Sequence, residues 1–401
     1  MKKFLPFLFL FISAGLFSQV FFSGESGFST DFVSSKVNDY YPEFYFQGYL
    51  AGQLNISREF CLRSELSLQS QDFFQNRLTK EVDSTFRFNE LSASYVKSFL
   101  GATHTLSFFG GYSESIGSQL FIKRRLGMVD YSSGLTKNYL GLNSGMVYQV
   151  YGMGGSYSIT FRQLPLSLGL EVSHNPENYS NTQQLNADFR LAFSNRYFTI
   201  DSLAGVGAPL YTKNDAGEDV FLLIDTLYYH CGFDVLVGNQ YNILSLYGQY
   251  GFEYLPIRSG NDTKKLSPED IYILFEPRLN FNIIKIHISG WNMPVDTVKK
   301  MKHIKDTLGA NICIFSDKLY TDKRNFTLGM NVYGGLTERN FSNAFDDMDS
   351  FTDDLNIDIA PYTEIECFKG LLYIGGRAGL MKLKNEKADA LTLSIGYKKE
   401  L

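Results

Sequence analysis

The sequence predicts an all-β protein, and within that class a transmembrane antiparallel up-and-down β-barrel of about 18 strands. Three observations predict it. Apolar and polar residues alternate with period two in segment after segment, most of these segments are long enough to cross a bilayer, and the connections between them alternate between short and long. Fourteen or sixteen strands would follow if some segments formed loop hairpins or an internal plug.

The first element is an export signal. Lys2 and Lys3 precede the apolar run Phe4 to Phe17, broken only by Pro6, Ser13 and Gly15. A positive start, an apolar core too short to span a bilayer and small residues at its end are the pattern of a cleaved leader. Residues 1–18 are therefore read as a signal peptide cut after Ser18, with Gly15 as the alternative cut, and 19–401 as one barrel domain. No cysteine lies in the first sixty residues to carry a lipid anchor. Beyond the leader no stretch approaches the ~18 uninterrupted apolar residues of a membrane helix.

The chain is nevertheless 44% hydrophobic, with 35 Phe, 26 Tyr, one Trp, 35 Gly and only 10 Pro. Spread-out apolar residues rich in aromatic rings suit strands with one lipid-facing side and ring girdles at two interfaces. The formal charge is −5, and −7 without the leader's two lysines, which argues against nucleic acid as a partner. Cys61, Cys231, Cys313 and Cys367 lie far apart with no C-x-x-C spacing, so no zinc site is expected and unpaired thiols are favoured over a disulfide. No cofactor is called for.

The strand reading rests on faces. Leu164, Leu166, Leu168, Leu170 and Val172 fall on one side of a segment whose other side carries Ser167, Gly169, Glu171 and Ser173. Phe44, Phe46, Leu50, Leu54 and Ile56 oppose Tyr45, Gln47, Tyr49, Gln53 and Asn55. Phe326, Leu328, Met330 and Val332 oppose Thr327, Gly329, Asn331 and Tyr333. Shorter cases are Ile284, Ile286 and Ile288 against Lys285, His287 and Ser289, and Leu391, Leu393 and Ile395 against Thr392, Ser394 and Gly396. Cutting the chain on this pattern predicts strands at 20–32, 43–57, 61–70, 85–98, 103–114, 144–162, 164–174, 184–194 and 197–206. The remainder fall at 219–236, 242–253, 269–280, 283–291, 308–316, 325–336, 354–367, 371–383 and 388–398.

Tight turns such as Ser194 to Arg196, Gly238 to Gln240 and Phe368 to Gly370 follow even-numbered strands, and longer polar loops follow almost every odd-numbered one. Short turns on one side and long loops on the other are the outer-membrane barrel arrangement, with the short side facing the periplasm and both termini on it. Sandwich strands average about 5–6 residues, shorter than these, and no repeat of about 40 residues marks propeller blades.

Catalytic motifs are absent: the five histidines form no H-E-x-x-H, there is no phosphate loop, and Gly111-Tyr112-Ser113-Glu114-Ser115 lacks the last glycine of a nucleophile elbow. A non-enzymatic barrel is expected. On the polar side of alternating strands, Arg63, Glu65, Glu171, Arg190, Lys285, His287 and Arg377 are predicted to face the lumen, since charge on the lipid side costs about 2–4 kcal/mol near the midplane.

The longest connection, Ser115 to Asn143, contains Lys123-Arg124-Arg125. In its place and length it resembles the third external loop of the trimeric general porins, which folds into the lumen. The resemblance implies that Lys123, Arg124 and Arg125 line a constriction, opposite Asp130 or the wall acids Glu65 and Glu171, and set ion preference. The other reading puts the three cations on the surface against lipopolysaccharide or other headgroup phosphates. Lys299, Lys300, Lys302 and Lys305 suggest a short loop helix. Asp346, Asp347, Asp349, Asp353 and Asp354 form a solvated acidic loop whose spacing is not that of an EF-hand.

The function expected from these features is a porin-like channel for passive diffusion of small hydrophilic solutes. A hydrophobic-ligand transporter resembling the long-chain fatty acid transporters, or a surface adhesin with a closed lumen, are the alternatives. The implied surroundings are the bacterial outer membrane, its lipid and lipopolysaccharide or equivalent, and the barrel assembly machinery, with a homo-oligomer left open.

Overall fold

The computed structural model describes residues 20–34, 42–70, 85–136, 147–176, 183–213, 217–239, 242–258, 265–299, 301, 304–320, 325–344, 351, 354–384 and 389–401. The expected leader and the aspartates 346, 347, 349 and 353 lie outside them.

Among the described residues, eighteen strands form one closed antiparallel barrel. They are β1 (Phe21–Val33), β2 (Glu43–Asn55), β3 (Phe60–Gln69), β4 (Thr85–Phe99), β5 (Ala102–Tyr112), β6 (Tyr151–Phe161), β7 (Leu166–Asn175), β8 (Gln184–Ser194) and β9 (Phe198–Lys213). The second half comprises β10 (Thr226–Val237), β11 (Leu244–Arg258), β12 (Ile271–Asn280), β13 (Ile284–Asn292), β14 (Leu308–Ser316), β15 (Asn325–Leu336), β16 (Leu355–Cys367), β17 (Gly370–Gly379) and β18 (Leu391–Glu400). Each pairs with its sequence neighbour, and β1 closes on β18 in the register Glu25↔Glu400 to Val33↔Thr392. Closure removes the free sheet edges that hydrocarbon would leave unsatisfied.

Connections after even strands are short, down to Leu100–Gly101 and Phe368–Lys369, and both termini lie at that end. The outer face carries the apolar alternates: Leu50, Phe108, Leu170, Phe275, Ile312 and Leu328 are all exposed. Aromatic rings gather at its two rims, with Phe99, Phe161, Tyr197 and Phe368 at the short-turn end and Phe86, Tyr151, Tyr211 and Phe221 at the other. An apolar belt between aromatic girdles, on strands of nine to sixteen residues, is the outer surface of a transmembrane β-barrel.

Some strand limits differ from the predicted ones. The strand expected from residue 144 begins at Tyr151, because Val147 and Val150 are buried inside the lumen and not in lipid. The 371–383 segment ends at Gly379 and turns into a short helix, Leu380–Lys384. The 219–236 segment divides into Asp219–Leu222, which extends a hairpin with β9 above the barrel, and β10. Strands β9 and β11 run further than expected, to Lys213 and Arg258. Apolar residues alternate alike against lipid and against a packed interior, so the pattern alone misplaces these ends. All four cysteines are free.

Candidate functional site: a loop folded into the lumen

The connection between β5 and β6 turns inward over its described residues, 113–136 and 147–150. Ile116, Phe121, Ile122, Tyr131, Leu135, Val147 and Val150 are buried, packed with Tyr247, Tyr272, Leu274 and Trp291 of the far wall. The surface-loop reading of Lys123 to Arg125 is thereby corrected: the loop's apolar residues, spaced irregularly among polar ones, need a partner that only the lumen wall provides. Helix α1 (Leu120–Leu126) places Phe121 over Gly169 of β7, where any side chain would crowd its ring. The Arg190 guanidinium lies 4.8 Å from that ring's centre. Gly232 and Gly251 leave room in the same way for Val147. These glycines are sockets for the loop.

Polar contacts fix it at both sides. The Tyr131 hydroxyl donates to Asp234 of β10 at 2.6 Å, Ser133 donates to Glu276 of β12, and Arg278 donates to the Tyr131 and Ser132 carbonyls at 2.9 and 3.2 Å. The Tyr148 N–H donates to Glu253 at 3.0 Å, and its ring stacks on His230, 3.4 Å between centres, which in turn bonds Asp188. Gln119 closes the loop on itself by accepting from the Tyr131 and Ser132 N–H groups. A second loop joins the plug, since Met293, Val298 and Ile304 between β13 and β14 are buried in the same cluster; its helix is Val295–Lys299, upstream of the lysines expected to form one, of which Lys300 and Lys302 lie outside the described residues and Lys305 is not helical.

On the near side Arg124 is the staple. Its guanidinium reaches Glu90 at 2.6 Å and Glu114 at 2.9 Å. A register shift between β3 and β4 pairs Glu65 with Glu90 and Leu66 with Phe88. Asn89 and Glu90 can therefore both turn inward, between the exposed Phe88 and Leu91. Gly111, opposite Glu90, adopts φ +109°, and a side chain there would overlap the Asn89 carbonyl. Burial alone would raise the Glu114 carboxyl, but Arg125 and Arg124 beside it hold it down at about 2. Arg124 is likewise held in its charged form, its two carboxylates outweighing burial.

Lys123 is exposed, 3.8 Å from Asp130, which also accepts from Ser132. Arg125 lies half-buried beside Glu114. Thus, of the acids expected opposite the three cations, Asp130 lies beside Lys123, while Arg124 is held by Glu90 and Glu114. Glu65 instead accepts from Asn89 at 2.9 Å, and Glu171 is buried beside its cross-strand partner Asp188. Arg190 is buried in a bond to both oxygens of Asp201, and Arg63 donates to Gln53 at 2.7 Å. Lys285 lies 3.3 Å from Asp317, His287 3.6 Å from Glu276, and Arg377 bonds Asp358. All seven wall residues project inward. Glu90, Glu114, Tyr131, Asp234, Glu276 and Arg278, which hold the loop, were not singled out by sequence. Only Glu90 left a signal there, in the break of alternation across Phe88-Asn89-Glu90-Leu91.

The plug is lopsided. Inward residues of β7 to β13 are mostly buried beneath it, whereas Asp31, Tyr45, Gln47, Tyr49, Arg63 and Glu364 on β1 to β3 and β16 keep intermediate exposure. At the short-turn mouth of this open half lies a cavity of about 660 Å³ lined by Glu25, Lys318, Asn325, Thr327, Glu364 and Glu366 among others.

Closure, an even strand number, the apolar belt and the inward loop define the class: an outer-membrane β-barrel of porin-like type. No family model matches the chain, and no curated protein matches it in sequence. Among solved structures, it is similar to the Salmonella typhi porin OmpF, at 12% identity and TM-score 0.42, covering 95% of this chain and 97% of that one. A mutant porin of Rh. blastica is 8% identical at TM-score 0.43, covering 96% and 100%. The Escherichia coli outer-membrane protein Wzi is 12% identical at TM-score 0.47, covering 98% and 87%.

Proposed function

We propose that the protein is a channel of the bacterial outer membrane for passive diffusion of small hydrophilic solutes, narrowed to the half of the lumen that the 113–150 loop leaves open. The observation that carries this reading is the contrast between the two halves of the inner wall, one sealed beneath an apolar plug and the other polar, with Asp31, Tyr45, Gln47, Tyr49, Arg63 and Glu364 half-exposed. A barrel of 18 strands is wide enough for water where loops do not fill it. Arg124 is neutralised by two carboxylates, so selectivity falls to the open wall. The mouth of that wall carries Glu25, Glu364, Glu366 and Glu400 against Lys318, Lys369, Lys398 and Lys399, with Asp31 and Arg63 further along it. The channel therefore selects only weakly between cations and anions. Single-channel recording of the refolded protein in a planar bilayer tests this. Steady steps of weak ion selectivity that shift toward anions in Asp31→Asn and Glu364→Gln are expected. A folded barrel that never conducts would refute the channel, and strong selectivity for either sign would refute the charge balance.

A further inference from the structure

The open wall carries an aromatic surface with an unusual pose. Tyr362 of β16 and Tyr373 of β17 point inward, half-exposed, with ring centres 6.0 Å apart and planes 25° from parallel. A side chain on Gly329 would overlap the Tyr362 ring, and one on Gly375 the Tyr373 ring. Each ring therefore lies down over a glycine of the wall and turns a face to the lumen. Phe315, the cross-strand partner of Gly329 near the short-turn end of β14, borders them, and His287 meets its ring edge-on, 4.9 Å between centres and 87° between planes. The two tyrosine rings make a nearly flat shelf on β16 and β17.

Hydrogen-bonding groups border it. Asn331 lies on the same face of β15, two residues above Gly329, and accepts from Asn311. Below, Glu364 is the cross-strand partner of both Tyr373 and Thr327, and it lines the cavity of about 660 Å³ at the mouth. Flat aromatic faces with planar amide and carboxylate groups at their edges match a ring that is apolar on its C–H faces and rich in hydroxyls around its rim. The cavity volume falls in the range of small-ligand sites. A planar aromatic solute would gain most between two rings, and this shelf offers one side only.

We infer that this shelf, with the cavity beneath it, is a binding site for neutral sugars, a monosaccharide or short oligosaccharide, on the path through the channel. The inference rests on the channel reading above. Its test is the ion current of the full-length mature protein in a planar bilayer with glucose, a linear glucose trisaccharide or indole added, after electrophoresis has established that each variant is folded. Concentration-dependent interruption of the current by the sugars is expected. The double variant Tyr362→Ala/Tyr373→Ala should weaken it about tenfold or more, while Tyr362→Phe/Tyr373→Phe, which keeps both faces, should leave it within about threefold. Normal conductance without sugar block, block by indole alone, or equal block in the double alanine variant would each overturn the site and leave the channel standing. If no current flows, the channel reading fails. Calorimetric titration of the folded protein with the trisaccharide then decides the site: binding abolished by the double alanine variant upholds it, and no binding overturns it.

Discussion

Replacing Arg124 by Gln is the sharpest perturbation of the inward loop. The substitution removes the partner of Glu90 and one of the two arginines beside Glu114, carboxylates that are 7% and 17% exposed and have little water to replace it. Breaking a buried pair in this way costs about 3–5 kcal/mol. The barrel itself is held by a closed ladder of eighteen strands that this change does not touch, so the loss falls on docking of the loop. A loss of about 3 kcal/mol would shift the docked-to-undocked ratio by more than a hundredfold. We expect Arg124→Gln to fold into a heat-resistant barrel whose current is larger and noisier than that of the parent. Adding Glu90→Gln and Glu114→Gln removes the stranded charges and should restore most of the quiet state. If Arg124→Gln conducts like the parent with the same noise, the staple contributes nothing and the account of the loop is wrong. If the triple variant is no quieter than the single one, charge burial is not the cause.

The other expectations concern neighbouring contacts. Tyr131→Phe leaves buried Asp234 without its 2.6 Å donor and should cost about 1–3 kcal/mol of loop docking, visible as protease cleavage within 113–150. Glu114 has a folded pKa depressed from 4.5 to about 2, so its contribution is complete above 4.5 and lost as pH falls toward 2. It amounts to about 3 kcal/mol, and noise rising over that window in the parent but not in Glu114→Gln is the check. Leu170→Arg puts a charge in the belt at about 2–4 kcal/mol and should reduce assembly in lipid, whereas Gln47→Arg on the open wall should assemble normally. Equal assembly of the two would contradict the face assignment.

Much of the barrel was legible because a strand between two media writes its faces into the sequence. Leu170 and Val172 on one side and Glu171 and Ser173 on the other need no knowledge of neighbouring strands. The inward loop was legible only by its length and by its likeness in position to a porin loop. Its far-wall anchors lie more than a hundred residues away, as Asp234 does from Tyr131, and no local pattern joins them. The strand start misplaced before Tyr151 has the same origin. Val147 and Val150 are as apolar as any belt residue, and for Val147 it is the socket glycines Gly232 and Gly251, across the lumen, that explain its burial.

The run Lys123-Arg124-Arg125 shows why charge in a loop does not by itself give selectivity. Three adjacent residues on one helical turn cannot all face the same way, and here they divide. Arg124 is consumed by two carboxylates, Arg125 depresses Glu114 and stacks 5.7 Å from Phe121, and only Lys123 is exposed, with Asp130 near it. A plug that must stay inside a water-filled barrel needs its charges paired, because each unpaired one would draw it back toward solvent. The same demand concentrates cations in the loop and cancels them there. The field felt by a passing solute then comes from the wall opposite the plug, which carries Asp31, Glu25 and Glu364 together with Lys318, Lys398 and Arg63.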